Sequence, residues 1–427
     1  MASKLVYVCL DGLGDDPIPE LDDRTPLEAA ATPHLDALAE RGRTGTVLTV
    51  GPGIAPESDI GVFGILGYDP QEEHPGRGVL EALGIGMGFR DGDLAYRINF
   101  ATADWPTIVD RRVGRDLSSR ESHELAEEVR ANLVLPGASF ELQATVEHRG
   151  ALVIRADERL SAEVSNTDPA YRRDGRLGVA METFDPIVAR AEPLENTEAA
   201  RRSAQLTNAF VEGAARVLDV AELNVRRRAE GRLPGNLILT RDGGDRRPDL
   251  EPIERRSGIP WGCFVEMPVE RGIAIALGME AVDAPRLDPT GFGPAAEESY
   301  ASWAHLAAQA IGSFGAIYIH LKGPDVPAHD GRAEDKRDVI AAIDRAFFGE
   351  LLPGLDLGRT IVAVTADHAT SSIRKAHTAD PVPLVVSGGP VRPDGTTSFG
   401  ERACQDGALG ALRGPQILPR LVEILGG

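Results

Sequence analysis

The chain has 427 residues, 42% apolar and 26% charged, ordinary proportions for a folded globular protein, and it is long enough that two compact units are expected. A formal net charge of -21 excludes recognition of nucleic acid or an anionic membrane through basic excess, so an anionic small molecule must find a local cluster of cations. The cysteines Cys9, Cys263 and Cys404 lie far apart without CxxC spacing, which excludes a disulfide framework or a thiolate zinc site, and no apolar run approaches the roughly 18 residues of a membrane span. The expected location is the cytoplasm.

In chain order, the apolar, β-rich run Lys4–Leu10 predicts a buried parallel strand, with Asp11 at its carboxyl end. Thr32 to Gly42 predicts a helix, with Thr as cap, Pro at the first turn, apolar spacing of three and four, and Gly as stop. Residues 120–132 and 197–221 read as charged helices, and 151–155 and 180–185 as isolated strands. This mixed region, 76–230, is expected to be an inserted α+β domain, flanked by a core formed from 1–75 and 231–427. Residues 316–321 and 360–365 predict two more buried strands with a helix over 334–351 between them. A strand over 381–387 and a helix over 416–425 complete an α/β alternation. The fold class is α/β, a mostly parallel central sheet flanked by helices, and in such sheets ligands gather at the carboxyl ends of the strands.

Four segments carry the chemistry: Asp11 in the turn after the first strand, Glu57-Ser58-Asp59, Asp325 to Gly331 with His329, and Thr365 to Thr370 with Asp367 and His368, followed by His377. Carboxylate oxygen and neutral imidazole are the ligands that hold catalytic Zn²⁺ or Mn²⁺. Asp11, Asp325, His329, Asp367, His368 and His377, with the Ser58 hydroxyl, are enough for two ions with open positions. Such a pair can clamp both the attacking and leaving oxygens of a phosphoryl group. A lone Asp after a strand is more often a turn residue, and a lone buried His more often a core residue. The coincidence carries the reading, because nine histidines are spread over the chain and three fall in acidic, post-strand loops of one α/β unit.

The pattern resembles the cofactor-independent phosphoglycerate mutases of archaeal type, in the alkaline-phosphatase superfamily. The matching segments are Leu10–Gly14, Thr25–Ala29 with Thr32–Asp36, Ser58-Asp59, Ile65–Pro70, Gly76–Gly78 with Leu80–Ala82, Asn99–Thr102, Asp110–Arg115, Thr167–Pro169, Lys322-Gly323 with His329–Gly331, Thr365–Thr370, and Lys375–His377 with Asp380–Pro383. The resemblance implies an alkaline-phosphatase-like core with an inserted cap, and two divalent ions, Mn²⁺ first and Zn²⁺, Co²⁺ or Mg²⁺ as alternatives. It assigns Asp325, His329 and His377 to one ion, and Asp11, Ser58, Asp367 and His368 to the other. Ser58 would take the phosphoryl group from 3-phosphoglycerate and return it to the other hydroxyl of glycerate, in a site the cap closes against water. Arg97, Arg111, Arg112, Arg115 and Arg241 are the expected contacts to carboxylate and phosphate, and Asp168 the group that orients or deprotonates the glycerate hydroxyl.

The chain departs from that family at four places. Asn166 stands where Asp is usual and Ala170 where His is usual, while Glu57 and Asp242 occupy positions that are commonly Gly. The metal-ligand set is untouched, which also admits a paralogue on the same scaffold, a mutase or phosphatase for a phosphonate or another phosphoryl acid.

Overall fold

Continuous apolar runs have both faces to bury, and in the computed structural model, which describes residues 4–174, 177–181 and 183–426, they lie at the centre of a sheet. Its strands run in the order Glu280–Ala281, Trp261–Phe264, Ala316–Leu321, Lys4–Leu10, Thr360–Thr365, Val382–Gly388, Arg43–Leu48 and Gly410–Arg413. Val382–Gly388 is antiparallel to both its neighbours, and the other junctions are parallel. The Lys4–Leu10 strand is flanked by Ala316–Leu321 and Thr360–Thr365 with the three in parallel register, so Asp11, Lys322 and the 366–368 segment all leave the same edge of the sheet. Helices expected near 33–41 and 417–425 are present as Pro33–Arg41 and Ile417–Gly426. The one expected over 334–351 is Ala333–Ile343, continued by wider turns to Leu351.

This sheet belongs to the first of two compact units, built from 1–70, 250–270 and 274–427; the second comprises 71–249 and 271–273. The second unit has its own antiparallel sheet, in which Leu94–Asp104 pairs with Thr107–Asp110, Arg149–Arg155 and Leu237–Gly244, and Arg149–Arg155 pairs in turn with Ser139–Ala144. Alternation along Leu94–Asp104 sends Leu94, Tyr96, Ile98 and Phe100 into a core shared with Leu125, Val129, Leu206 and Phe210 of the helices Ser119–Asn132 and Glu198–Val220. Ala95 faces the other way, against Val79 and Ala82 of the helix Arg77–Gly84, and Arg97 and Asn99 follow it along the same face.

The return to the first unit falls near 250 rather than the expected 231. The physical reason is the Leu237–Gly244 strand, whose backbone pairs with Leu94–Asp104. The strand expected over 180–185 is not found: the hairpin strand Leu177–Ala180 ends at its first residue, Met181 and 183–185 form no strand, and Glu182 lies outside the described residues. Among the described residues no helix is long and apolar enough to cross a membrane.

Candidate active site

The sharp turn after the first strand is possible because Gly12 takes φ of +64°, and a Cβ there would stand 2.7 Å from Thr370 Oγ1 and 2.8 Å from Asp325 Oδ1. The three ligand-bearing loops therefore meet in contact. Gly12 N–H donates to Asp367 Oδ1 at 3.1 Å, and Thr370 Oγ1 donates to Asp325 Oδ1 at 2.7 Å. Ser58 opens the helix Ser58–Ile65, which approaches the Asp367 backbone closely because its second turn carries Gly61; a Cβ on Gly61 would lie 2.2 Å from the Asp367 carbonyl oxygen. Ser58 Oγ is thereby held 3.1 Å from His368 Nε2.

Around His368 the candidate ligands fall into two groups that share it. Asp11 Oδ1 lies 3.5 Å and Asp367 Oδ2 3.3 Å from its Nε2. On the other side His377 stacks on it with ring centroids 3.8 Å apart, and Asp325 Oδ1 lies 3.6 Å from His377 Nε2 and 3.5 Å from His329 Nε2. Asp11, Asp367 and His368, and likewise Asp325, His368 and His377, each place their donor atoms within 4.8 Å of one another, close enough to hold one ion. All six candidate ligands expected from the sequence, with Ser58, lie in the first unit; His329 falls outside both groups of three and meets them through Asp325.

Three observations test whether a cation fits. Asp11 Oδ1 and Asp367 Oδ2 are buried with no hydrogen-bond partner, which is expensive for carboxylate oxygens unless a cation faces them. Burial, and then the Asp11 charge, pushes the Asp367 carboxyl up to about 7, the strain of two carboxylates confined together. The imidazoles are oriented from behind: His377 Nδ1 sits 2.7 Å from the Pro56 carbonyl, His329 Nδ1 3.1 Å from that of Lys375, and His368 Nδ1 3.0 Å from Thr370 Oγ1. Donation from each Nδ1 leaves the Nε2 lone pair for a metal. Burial, then the neighbouring His377, keeps His368 neutral, its pKa pushed down to about 3. For His377 burial is outweighed by the Asp325 carboxylate, which raises it to about 10, so without an ion a proton occupies that place. The residues fit two divalent ions.

Three side chains to which the sequence gives no role stand beside this set, Lys322 among them although it falls in a matching segment. Lys322 Nζ lies 2.8 Å from Asp11 Oδ2 and 2.6 Å from Glu270 Oε1, and 3.3 Å from His320 Nε2. Lys322 had a readable signal, since it follows a buried strand as Asp11 does. Glu270 sits within a helix and His320 within a strand, with no local mark.

The expected substrate contacts lie in the second unit. Arg111, Arg112 and Arg115 line a cavity of about 360 Å³ whose other walls include Ile108, Phe184 and Pro186. Asp168, which is buried, takes a two-pronged ion pair from Arg111, at 2.8 Å from Nε and 2.6 Å from Nη2. The Arg241 guanidinium carbon stands over the Tyr171 ring, 3.6 Å from its centroid, directly across the strand pair from Arg97. Arg97 is 7% exposed, its Nε and Nη1 make no hydrogen bond, and burial, then Arg77 and Arg241, lowers its pKa to about 9. Such a guanidinium is a ready receptor for an anion.

A family model described as 2,3-bisphosphoglycerate-independent phosphoglycerate mutase matches residues 39–224. The mutase of that name from Aeropyrum pernix is 41% identical, the alignment covering 99% of this chain and all of the relative. Its counterpart from Thermococcus kodakarensis is 34% identical over 99% of this chain and 97% of its own. Among solved structures, a Pyrococcus horikoshii protein superimposes with a TM-score of 0.81 at 29% identity, covering 100% of this chain and 98% of the other. The cofactor-independent phosphoglycerate mutase of Thermoplasma acidophilum does so with 0.65 at 32% identity, covering both chains fully.

Proposed function

From the premise that the chain belongs to the 2,3-bisphosphoglycerate-independent phosphoglycerate mutase family, we propose that it interconverts 3-phosphoglycerate and 2-phosphoglycerate through a phosphoserine on Ser58. The observation that carries the proposal is Ser58 Oγ, at a helix start and 3.1 Å from His368 Nε2, beside buried carboxylate oxygens that accept no hydrogen bond among the described residues.

Asp325, His329 and His377 would hold one divalent ion, and Asp11, Asp367, His368 and Ser58 Oγ the other; bound there, the ions supply positive charge to the phosphoryl oxygens and favour the ionised serine. Ser58 Oγ gives up its proton and bonds to phosphorus as the bond from phosphorus to the substrate oxygen breaks, and that oxygen takes a proton to become the glycerate hydroxyl. The neighbouring glycerate hydroxyl then attacks the phosphoserine, transferring its own proton as Ser58 Oγ leaves. Helix dipole and backbone N–H groups at the start of Ser58–Ile65 favour the anionic group carried there. Lys322, ion-paired to Asp11 Oδ2, orients that carboxylate.

Arg97, Arg111, Arg112, Arg115 and Arg241 serve in this reading as receptors for substrate anion. The role expected for Asp168 narrows: both its oxygens engage Arg111, so it orients that arginine. The same reading assigns the enzyme to glycolysis and gluconeogenesis in the cytoplasm, with manganese as the ion.

Phosphorus NMR of the manganese-loaded protein with 3-phosphoglycerate and no bisphosphoglycerate tests it. Appearance of 2-phosphoglycerate is the expected outcome. Free phosphate alone would make the protein a phosphatase, and an unchanged spectrum would refute the mutase reading and direct the search to phosphonates.

A further inference from the structure

The arginine face of the second unit holds one residue whose backbone and side chain are at odds with its surroundings. Asp242 takes φ of +56°, a left-handed conformation that glycine adopts freely and that a side chain strains. It is also buried, its side chain 7% exposed, with Oδ2 lying 3.5 Å from Arg241 Nη1. Its N–H donates to Asn166 Oδ1 at 3.0 Å, and Asn166 Nδ2 donates to the Tyr171 carbonyl at 3.1 Å. The Asn166 amide, accepting through its oxygen and donating through its nitrogen, therefore ties Asp242 to the residue whose ring supports Arg241. A strained, buried carboxylate has thus been fixed beside a cluster that contains Arg97, Arg77, Arg149 and Arg241.

That cluster is built to receive an anion, because two nitrogens of the buried Arg97 make no hydrogen bond among the described residues, and the Glu81 carboxylate stands 4.0 Å from Nε. Arg97 and Arg241 oppose each other directly across the strands, an arrangement in which like charges repel. A second carboxylate there lowers the net charge the bound anion meets.

We propose that Asp242 is a specificity-determining counter-charge: it weakens the arginine cluster's hold on a phosphate dianion more than on a carboxylate monoanion, so that this cluster takes the carboxylate end of the substrate. The proposal rests on the mutase reading for the identity of those two ends, and on the cluster's geometry for the rest. Coulomb energy scales with ligand charge, so removing one negative charge strengthens binding of a dianion about twice as much, in logarithmic terms, as that of a monoanion.

The test is titration of the full chain, with chelator present and in a buffer alkaline enough for inorganic phosphate to be a dianion, comparing phosphate with glycerate. Asp242→Asn retains the size and the same modest backbone cost, since Asn and Asp enter the left-handed region more readily than other side chains, while removing the charge, and Asp242→Gly removes that cost as well. Both variants are expected to bind phosphate at least about fivefold more tightly than the unaltered protein, with a smaller gain for glycerate, and neither should lower the thermal midpoint. Unchanged or weaker phosphate binding, no measurable phosphate binding by Asp242→Asn, or equal gains for the two anions would each overturn the proposal. Turnover of the unaltered protein is read separately, so failure of the mutase reading leaves the binding result interpretable.

Discussion

At the scale of single residues, Ser58 is the one side chain on which the whole phosphoryl transfer turns. Ser58→Ala removes the only oxygen the mechanism can phosphorylate and little packing, so kcat should fall by about a thousandfold or more while the thermal midpoint stays in place. Activity near that of the unaltered enzyme in this variant would refute the nucleophile. His148 offers a second, independent check in the second unit. Burial, and then Arg149, Arg112, Arg97 and Arg115, pushes its pKa down to about 3, whereas an unfolded histidine titrates near 6.5. Between those values the unfolded chain takes a proton that the folded chain refuses. The stability present above about pH 6.5 is therefore lost as pH falls toward 3. His148→Asn should flatten the pH dependence of unfolding in that window, and an unchanged slope would show that the ring is not held neutral. Asp11, Asp325, Asp367, His368 and Ser58 were legible because each follows a strand or opens a helix at a recognisable signal. Glu270 and His320 carry no such signal, and the ion pairs of Lys322 to Asp11 and Glu270 join residues more than fifty positions apart, so these contacts follow only from the strands lying side by side.

At the scale of elements, the helix Ala333–Ile343 joins two of the ligand-bearing loops through one side chain. Lys336 is fully buried, and its Nζ donates to the carbonyls of Gly14 and Thr370, each at 2.9 Å, and lies 3.0 Å from Asp15 Oδ2. It thereby laces the loop after Asp11 to the loop after His368. Lys336→Met leaves Asp15 as a buried charge that has lost its cation, and breaking such a pair typically costs about 3 to 5 kcal/mol. The expected result is a lower unfolding midpoint together with loss of bound metal on dialysis; full retention of two ions would show that the loops hold their geometry without it. Strands buried on both faces were readable as continuous apolar runs, and Ala316–Leu321 and Thr360–Thr365 lie where the sequence predicts them. Leu94–Asp104 and Leu237–Gly244 were not, because Arg97, Asn99, Arg241 and Asp242 interrupt them with the polar residues of the arginine face. The functional pattern masked the structural one, and the misplaced boundary at 231 followed from it.

At the scale of the molecule, every candidate metal ligand belongs to one of the two units. Ligands that bind only the folded state stabilise it by mass action, about 2.7 kcal/mol at a hundredfold excess over Kd. Manganese should accordingly raise the calorimetric transition of the first unit and leave that of the second in place. Chelation should abolish turnover reversibly, and activity that survives exhaustive chelation would contradict a two-metal centre.

The placement of the Lys4–Leu10 strand at the middle of its sheet has a consequence for biosynthesis. Both its partners begin about 300 residues later, at Ala316 and Thr360. At translation rates of about 5 to 20 residues per second, this apolar strand leaves the ribosome on the order of 15 to 60 seconds before anything can pair with it. Nearly the whole second unit, 71–249, is made in that interval. It can therefore fold while the first strand waits, and the metal site closes only as the last third of the chain arrives.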